Sequence, residues 1–319
     1  RDFCLSRGLG DVYKRQGKDM TCFGLTPEGI ENNPVMYELA SELIWRPEKF
    51  SKAEWLKNYA KARYGRSTKD VDKAWSLLGA TIYNAPWGNM QQGTTESVFC
   101  ARPSDDVWQV SSWSRMAPYY NPADVIKAAK DFAKGAKTLK DNANYRYDLV
   151  DITRQAIAEK GRIVYGDMQK ALKANDMKAF DKASARFLAL IDDQDRLLST
   201  TPDFYVGTWI DAARRLDPSG RDSDNMERNA RLIITTWGPR VASEEGGLRD
   251  YAHREWGGLL RDLYKKRWLE WIKARKTTAK PDIDFYAIDE RWVNDRNTYP
   301  APGPDARPVE TALQILKTL

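Results

Sequence analysis

The chain has 319 residues, of which 42% are hydrophobic and 30% are charged, and this composition predicts a folded globular protein. Three scattered cysteines and a single histidine argue against a disulfide framework, a zinc site and His-ligated metal chemistry. No apolar run approaches the roughly 20 residues that cross a bilayer, and no glycine-rich phosphate-binding motif supports nucleotide binding. We therefore expect no metal, no cofactor and no membrane span.

The net charge of +6 is compatible with an anionic partner, but the basic residues are concentrated in only one stretch, 265–280. Its sequence, K-K-R-W-L-E-W-I-K-A-R-K-T-T-A-K, fits the solvated end of an amphipathic helix, where cations are favoured near the C-terminus. A nucleic-acid site is the alternative interpretation, and it predicts strongly salt-dependent binding. We expect the helix, and no nucleic-acid partner.

The first sixteen residues differ in composition and pattern from the rest of the chain. Within them, D-V-Y-K-R-Q resembles a translated sequencing adapter of the kind found at the edges of metagenomic assemblies. We expect residues 1–16 to be an artefact of this kind, and we exclude them from reasoning about the fold. The true N-terminus, with any signal region, is then expected to be missing.

A short apolar run at 20–25, M-T-C-F-G-L, predicts one buried strand that ends before Pro27. Asn33 and Pro34 then form the cap and first residue of a helix. The strand, the loop and the helix make up one βα unit. Because a lone strand cannot satisfy its own backbone groups, we expect it to belong to a sheet whose other strands lie upstream.

Glu28 lies in the loop of this unit, between Pro27 and Gly29. By residue type alone it can be a solvated loop residue, a helix cap or a catalytic carboxylate. Proline and glycine fix the turn, so that the side chain can be aimed, and βα barrels build their active sites from the loops that follow the strands. Glu31 lies nearer the helix start, where a carboxylate stabilises the helix dipole, and we interpret it as structural.

From residue 49 onwards the pattern is almost entirely helical. Ser51 and Glu54 form a capping box, and Asn121-Pro122 and Thr201-Pro202 repeat the cap-and-proline start. Helices are predicted at about 69–83, 145–174, 176–199, 225–236 and 248–264 and from near 282, with an irregular segment at 84–121 and a proline-rich loop at 300–308 before a short C-terminal helix.

Two aromatic residues stand apart from the helical core pattern. Trp237 ends a predicted helix in T-T-W-G-P, and Tyr251 lies on the first turn of the next predicted helix, which also carries His253. The two rings can either line a cleft or pack between domains, whereas His253 is expected to be a hydrogen-bonded structural residue. The tryptophans at helical spacing are expected in the core: Trp55, Trp75, Trp209, Trp268 and Trp271.

Six stretches, taken in order and spacing, resemble segments of glycoside hydrolase family 89, the α-N-acetylglucosaminidases. The resemblance covers residue 17 to the end of the chain. The matching stretches are G-L-T-P-E-G-I-E-N-N-P-V-M-Y-E-L at 24–39, R-Y-G at 63–65, A-W-S-L-L at 74–78, Y-R-Y-D-L-V-D-I-T-R-Q at 145–155, T-W-G-P at 236–239 and L-R-D-Y-A-H-R-E-W-G-G-L at 248–259.

The resemblance implies a mainly α fold: residues 17–48 as the last part of a truncated (β/α) barrel, followed by an all-helical C-terminal domain at 49–319. It implies a retaining, exo-acting enzyme that removes terminal α-linked N-acetylglucosamine from a glycan by means of two glutamates. The nucleophile of the family lies in the P-E-G-I motif, which corresponds to Glu28. The acid/base glutamate lies upstream of these residues, so this polypeptide is expected to be an inactive fragment when alone.

By the same resemblance, Trp237, Leu248 and Tyr251 line the sugar pocket from the helical domain. The family likeness also implies an exported protein, periplasmic or extracellular. A non-enzymatic helical module that binds carbohydrate or acts as a scaffold is the alternative. It would need no aimed carboxylate, so that Glu28→Gln would leave both ligand binding and the activity of the full-length protein unchanged.

Overall fold

The computed structural model describes residues 24–25, 33–43, 50–85, 96–111, 116–303 and 306–319. The chain forms two compact units, Arg1–Gln91 with Tyr119–Leu149, and Gln92–Pro118 with Val150–Leu319. In these described ranges the regular structure is helical and no strand occurs, which confirms the mainly α fold class. No helix among them is long and apolar enough to cross a membrane. The predicted strand at 20–25 and the Glu28 loop lie outside the described residues, apart from Gly24 and Leu25.

The first unit is built from short helices and the start of a long one. Their bounds are α1 Pro34–Leu43, α2 Lys52–Tyr64, α3 Lys69–Ala80, α4 Pro122–Ala133, α5 Ala136–Leu139 and the beginning of α6 Ala143–Lys173.

Side-chain caps explain where these helices begin. Ser51 Oγ accepts a hydrogen bond from the Glu54 amide at 3.3 Å, which confirms Ser51 as the N-cap of α2. Asn121 Oδ1 accepts from the Ala123 amide at 3.1 Å, ahead of Pro122 in the first turn. The predicted helix at 69–83 ends earlier than expected, at Ala80.

The core of the first unit is aromatic and lies beside the ion pair of half-buried Arg63 with buried Asp148. Phe132 and Tyr145 stack with their ring centroids 4.9 Å apart. Beside them, Arg63 donates two hydrogen bonds to the buried Asp148 carboxylate, at 2.6 and 2.9 Å. Tyr64 donates a third to the same carboxylate at 2.5 Å. A buried carboxylate that accepts from a bidentate guanidinium and a phenol is well compensated for the loss of water.

The second unit contains the remainder of α6 and the helices that follow. Their bounds are α7 Met177–Leu198, α8 Val206–Arg214, α9 Ser223–Ile233, α10 Lys265–Arg275, α11 Phe285–Val293 and α12 Pro308–Leu316, with π-helical segments at Val241–Glu245 and Leu260–Tyr264 and 3-10 turns at Val98–Cys100 and Pro202–Phe204.

The predicted break between the two long helices is confirmed. Asn175 adopts a left-handed backbone with φ of 54°, which asparagine tolerates better than most residues. Asp176 then caps α7 by accepting a hydrogen bond from the Ala179 amide at 2.9 Å.

The core of the second unit centres on Trp268, which is fully buried. Its ring centroid lies 4.5 Å from that of Phe187 and 5.7 Å from that of Tyr165. Its indole Nε1 donates to the Phe99 carbonyl at 3.0 Å, so the polar atom of this large side chain is satisfied. Of the other tryptophans expected in the core, Trp209 is half-buried. The remaining three are buried: Trp55, Trp75 and Trp271.

The basic stretch 265–280 forms α10 and the turns after it, and most of its charges have acidic partners. Lys265 contacts Asp192 at 2.6 Å, Arg275 contacts Asp105 at 2.9 Å, and Lys276 contacts Asp181 at 2.7 Å. Arg267 is fully buried. These contacts favour a structural role for the stretch over a polyanion-binding one.

The predicted helix at 248–264 is wrong in its first half. Residues 248–257 form turns and loop, and helical structure begins only with the π-helical segment Leu260–Tyr264. The backbone departs from a helix here, since Gly247, Asp250 and Gly258 all have positive φ and cannot continue a right-handed helix. Tyr251 and His253 are therefore loop residues.

Gly257 and Gly258 end this loop where two backbones approach closely. The Val206 amide donates to the Gly257 carbonyl at 3.1 Å, and the Gly257 amide donates to the Phe204 carbonyl at 2.9 Å. A Cβ atom on Gly257 would lie 2.6 Å from the Ser199 amide nitrogen, and one on Gly258 would lie 2.9 Å from the Tyr299 ring. The pair thus fixes the exit of the 247–256 loop.

We expect Gly258→Ala to lower the free energy of unfolding by about 1–3 kcal/mol, because φ of +85° is strained for alanine and its methyl group meets Tyr299. Gly166→Ala is the matched control. No atom lies within 4 Å of its added Cβ, and it sits inside α6, so it should stabilise the protein by about 0.5–1 kcal/mol. Urea unfolding of both variants measures this. Equal effects would contradict the close approach at Gly258.

Candidate functional site

The structure brings Trp237 and Tyr251 together. Their ring centroids lie 4.9 Å apart with an interplanar angle of 68°, an edge-to-face contact. Trp237 is half-buried, and Tyr251 retains 38% of its surface exposed. The predicted third member, Leu248, is half-buried in the same turn as Tyr251, whose amide donates to the Leu248 carbonyl at 3.2 Å.

Trp237 has a left-handed backbone with φ of 63°. A bulky residue in this region is an outlier, and the conformation costs about 1–3 kcal/mol. It persists after α9 because the Trp237 amide donates to the Leu232 carbonyl at 2.8 Å. Beyond this turn the indole contacts the Tyr251 ring.

Asp250, next to Tyr251, is also left-handed, with φ of 55°, and is fully buried. Its amide donates to the Thr235 carbonyl at 2.7 Å, which connects the two loops that carry the aromatic rings. Its carbonyl accepts from the His253 amide at 3.1 Å. His253 Nδ1 lies 3.1 Å from the same oxygen, a position from which a protonated Nδ1 donates to it.

The Asp250 carboxylate belongs to a fully buried ion cluster. Arg267 donates to it at 2.9 and 3.1 Å and to Asp289 at 2.7 Å. The same guanidinium donates to the Cys100 carbonyl at 3.2 Å. Burial opposes the charge on Arg267, but the carboxylates of Asp250 and Asp289 outweigh it and raise the pKa of the guanidinium above its ordinary value.

A second arginine extends the cluster towards the surface. Arg102 donates to Asp289 at 2.9 Å and to Glu244, in the π-helical segment Val241–Glu245, at 2.7 Å. Partial burial would raise the pKa of Glu244, but the hydrogen bond from Arg102 outweighs it and leaves that pKa below its ordinary value. Removing one partner from a buried ion pair costs about 3–5 kcal/mol, so the cluster restrains the chain between Trp237 and Tyr251, at Glu244 and at Asp250.

His253 contacts the loop at 96–111 from the other side. Its Nδ1 lies 3.8 Å from Glu96 Oε1. Glu96 accepts hydrogen bonds from the amides of Val110 and Ser111, each at 3.1 Å. These contacts support the structural role expected for His253. Among the described residues, no group of three or more histidines, cysteines or acids is arranged to hold a metal ion.

The charged residues of the stretch 145–155 make separate contacts. Arg154 donates to Asp151 and to Glu255, each at 2.6 Å. Arg146 donates to the backbone carbonyls of residues 140 and 141. Arg154 thereby anchors Glu255, at the end of the loop that carries Tyr251.

An open groove on the first unit has no comparable features. Basic and acidic side chains line it in nearly equal number, and none of its lining residues is aromatic. The lining residues are Glu54, Lys57, Asn58, Lys61, Arg66, Ser67 and Asp72. We therefore place the candidate site at the Trp237–Tyr251 pair.

Sequence reasoning found the aromatic pair but missed the ions that hold it. The sequence contains one signal for these ionic residues, which is the position of Arg267 in its helix. It lies three residues after Tyr264 and four before Trp271, inside the apolar stripe of α10. A charged residue at a buried helical position needs a buried partner, and this could have directed attention to Asp250 and Asp289.

The fold and the Trp237–Tyr251 pair define a helical protein in which a buried ion cluster holds two partly exposed aromatic rings in place. Residues 55–318 match the family description "Alpha-N-acetylglucosaminidase (NAGLU) C-terminal domain". Residues 4–47 match the "tim-barrel domain" of the same family. The chain belongs to the α-N-acetylglucosaminidase family, which confirms the family resemblance of its motifs.

A curated human relative, alpha-N-acetylglucosaminidase, is 30% identical over 289 residues, which are 87% of this chain and 37% of the human protein. The family 89 glycoside hydrolase from Clostridium perfringens, solved with 2-acetamido-1,2-dideoxynojirmycin, superposes with a TM-score of 0.91 at 32% identity. That match covers 98% of this chain and 36% of the bacterial one. The chain thus spans little more than a third of the length of these relatives.

A second structure of the Clostridium enzyme, in complex with PUGNAc, gives a TM-score of 0.91 at 33% identity. A third, of a doubly substituted form in complex with its substrate GlcNAc-alpha-1,4-galactose, gives a TM-score of 0.90 at 31% identity. Each again covers 98% of this chain and 36% of the other.

An exposed ion pair near the site joins Arg240 to Asp284, and the pKa of the Asp284 carboxyl lies in a pH range that unfolding experiments can reach. Asp284 caps α11 by accepting from the Ala287 amide at 3.0 Å. Arg240, three residues after Trp237, donates to the same carboxylate at 2.9 and 2.8 Å. The hydrogen bonds from Arg240 and then from Ala287 lower the pKa of Asp284 from 3.8 to about 2.

Because the pKa of Asp284 is lower in the folded state, the carboxylate stabilises the fold above pH about 4, and this contribution is lost as the pH falls towards 2. We expect the free energies of unfolding of wild type and Asp284→Asn to differ at pH 6 and to converge near pH 2. Urea unfolding across this range measures it. Arg240→Gln should move the measured pKa back towards 3.8, and an unchanged pKa in that variant would contradict the assignment.

Proposed function

We propose that this chain acts in the retaining, exo-acting hydrolysis of terminal α-linked N-acetylglucosamine, with Trp237, Leu248 and Tyr251 as one wall of the sugar pocket. The observation that carries the proposal is the aromatic pair, two partly exposed rings in contact, with strained backbone at Trp237 and at Asp250, the residue before Tyr251. A related enzyme is described with GlcNAc-alpha-1,4-galactose as its substrate. Export to the periplasm or the exterior, implied by the resemblance, is part of the same proposal.

The aromatic pair suits a sugar for a physical reason. One face of a pyranose ring is lined by C–H groups, which pack against an aromatic face. Aromatic contacts contribute about 0.5–1.5 kcal/mol beyond the area that they bury. Tyr251 adds a phenolic hydroxyl that can donate or accept a hydrogen bond. The two rings together offer apolar contact and polar orientation to one terminal residue.

We propose Glu28 as the nucleophile, on the evidence of its sequence context. It lies between Pro27 and Gly29, in the part of the chain that matches the barrel description. A retaining glycosidase uses one ionised carboxylate to form a glycosyl ester and a second carboxyl group, about 5–5.5 Å away, to protonate the leaving group. Water then hydrolyses the ester, and the anomeric configuration is kept.

The test of Glu28 uses a chimera in which this chain replaces the corresponding 36% of the Clostridium enzyme. We expect Glu28→Ala to abolish turnover of an aryl α-N-acetylglucosaminide while inhibitor binding persists, since covalent catalysis is lost but the pocket remains. Glu31→Ala, in the same loop, is the matched control and should retain turnover. Activity in Glu28→Ala equal to that of the parent would reject the assignment and favour a non-enzymatic binding module.

In the same chimera, Trp237→Ala should lower kcat/KM several-fold or more, since 1 kcal/mol corresponds to a factor of about five. Tyr251→Phe should act in the same direction. Trp209→Ala is the control, because Trp209 is half-buried but donates to the Ala230 carbonyl and packs on Trp256. It should lower the melting temperature and leave kcat/KM unchanged. Large melting shifts with unchanged kcat/KM at Trp237 and Tyr251 would assign both rings to packing alone.

A further inference from the structure

Asp250 is held at its amide, its carbonyl and its carboxylate at once. The amide donates to Thr235, the carbonyl accepts from His253, and the carboxylate accepts two hydrogen bonds from Arg267. The residue is fully buried. Because each of these contacts has a fixed direction, the surroundings impose the left-handed backbone at this position.

The left-handed turn separates two neighbouring side chains. The Asp250 carboxylate points into the core, whereas Tyr251, the next residue, has 38% of its surface exposed and contacts Trp237. A right-handed helical backbone through the same residues, as the sequence pattern predicts, would place Tyr251 elsewhere. The direction of the phenol ring therefore depends on the conformation of Asp250.

The other half of the pair depends on the same residue. The Asp250 amide donates to the Thr235 carbonyl at 2.7 Å, and Thr235 lies two residues before Trp237. This hydrogen bond joins the loop of Tyr251 to the loop of Trp237. Asp250 thus fixes the position of the two rings relative to each other.

We propose that Asp250 and Arg267 are positioning residues, which hold Trp237 and Tyr251 in the relative orientation that the sugar pocket requires. Neither touches the sugar in this proposal, and both act through the aromatic pair. The contacts of Asp250 and Arg267 support the orientation of the two rings, and only the binding of a sugar to them rests on the proposed function.

An arginine suits this role better than a lysine would. Its planar fork donates to Asp250 through two nitrogens and to Asp289 through a third, so the loop is tied to α10 and α11 together. A lysine offers a single point charge and cannot reproduce this geometry. Arg267 thereby transfers the rigidity of two helices to a loop that has no regular structure of its own.

The competing explanation is that the cluster only stabilises the fold. Asp148 is a matched control, because it is a buried carboxylate that accepts two hydrogen bonds from one arginine, Arg63, within the first unit. Asp148→Asn removes the same charge in the same kind of environment. Asp250→Asn keeps the shape of the side chain and its tolerance of a left-handed backbone, so that it tests the ionic anchor alone.

The experiment follows the ring of Tyr251 by fluorine NMR in the full 319-residue chain labelled with 3-fluorotyrosine, which gives 15 tyrosine signals. Loss of one signal in Tyr251→Phe assigns it. Trp237→Ala gives the position of that signal without its aromatic neighbour. Both reference spectra are recorded at a temperature where all variants are folded.

We expect the Tyr251 signal of Asp250→Asn to move more than half-way to its position in Trp237→Ala, or to split into several conformers. In Asp148→Asn it should stay at the wild-type position although the melting temperature falls. A wild-type Tyr251 signal in folded Asp250→Asn would overturn the proposal. So would an equal displacement in Asp148→Asn, since that would show a general effect of lost stability.

Hydrogen exchange of the wild-type chain keeps the proposal testable if Asp250→Asn does not fold. The amides of Trp237, Asp250 and His253 should be as protected as those of the buried α10 residues Trp268 and Trp271, within about tenfold, because the cluster allows no local opening. Exchange more than about a hundredfold faster at these three amides would show that the loop opens independently and would overturn the proposal.

Titration of the chimeric enzyme, labelled in the same way and with the Tyr251 signal assigned by its loss in Tyr251→Phe, with 2-acetamido-1,2-dideoxynojirimycin separates the two claims. Displacement of the Tyr251 signal supports the sugar pocket. If the inhibitor leaves that signal unmoved while Asp250→Asn displaces it, the proposed function fails and the positioning role stands. If the inhibitor moves the signal while Asp250→Asn leaves it at the wild-type position, the positioning role fails alone.

Discussion

The contact of Arg267 with Asp250 and Asp289 is the interaction on which the second unit depends. All three side chains are fully buried, and the guanidinium joins a loop to α10 and α11. A buried guanidinium without partners would be costly in free energy. The two carboxylates compensate for its lost hydration only if their hydrogen-bond geometry to the guanidinium is maintained. The cluster therefore sets where the loop that contains Asp250 can lie.

This constraint has its consequence at the surface. Trp237 and Asp250 both adopt left-handed backbone, and strain of this kind persists only where the surrounding structure imposes it. In this arrangement the rings of Trp237 and Tyr251 lie in edge-to-face contact with each other, and both remain partly accessible to solvent. A preformed aromatic wall costs little entropy when a ligand binds, which is why rigid sites gain affinity over mobile ones.

The sequence predicted what local rules determine. The N-cap at Ser51, the proline start at Pro122 and the break at Asn175 depend on neighbouring residues, and all three are confirmed. The helix at 248–264 failed because apolar periodicity continues through Asp250, whose conformation is imposed by Arg267 from a distant helix. The pairing of Trp237 with Tyr251 depends on the same distant contact, so motifs placed both rings near a cleft but could not supply their orientation. The role of Glu28 stays a prediction.

The most direct measurement of the central claim is a crystal structure of the chimeric enzyme with 2-acetamido-1,2-dideoxynojirimycin bound. The account predicts carbon atoms of the inhibitor ring within about 4–4.5 Å of the Trp237 and Tyr251 rings, with the Asp250–Arg267 hydrogen bonds intact and the Glu28 carboxylate on the other side of the ring. An inhibitor bound away from both aromatic rings, or a pair completely covered by side chains of the barrel, would contradict it.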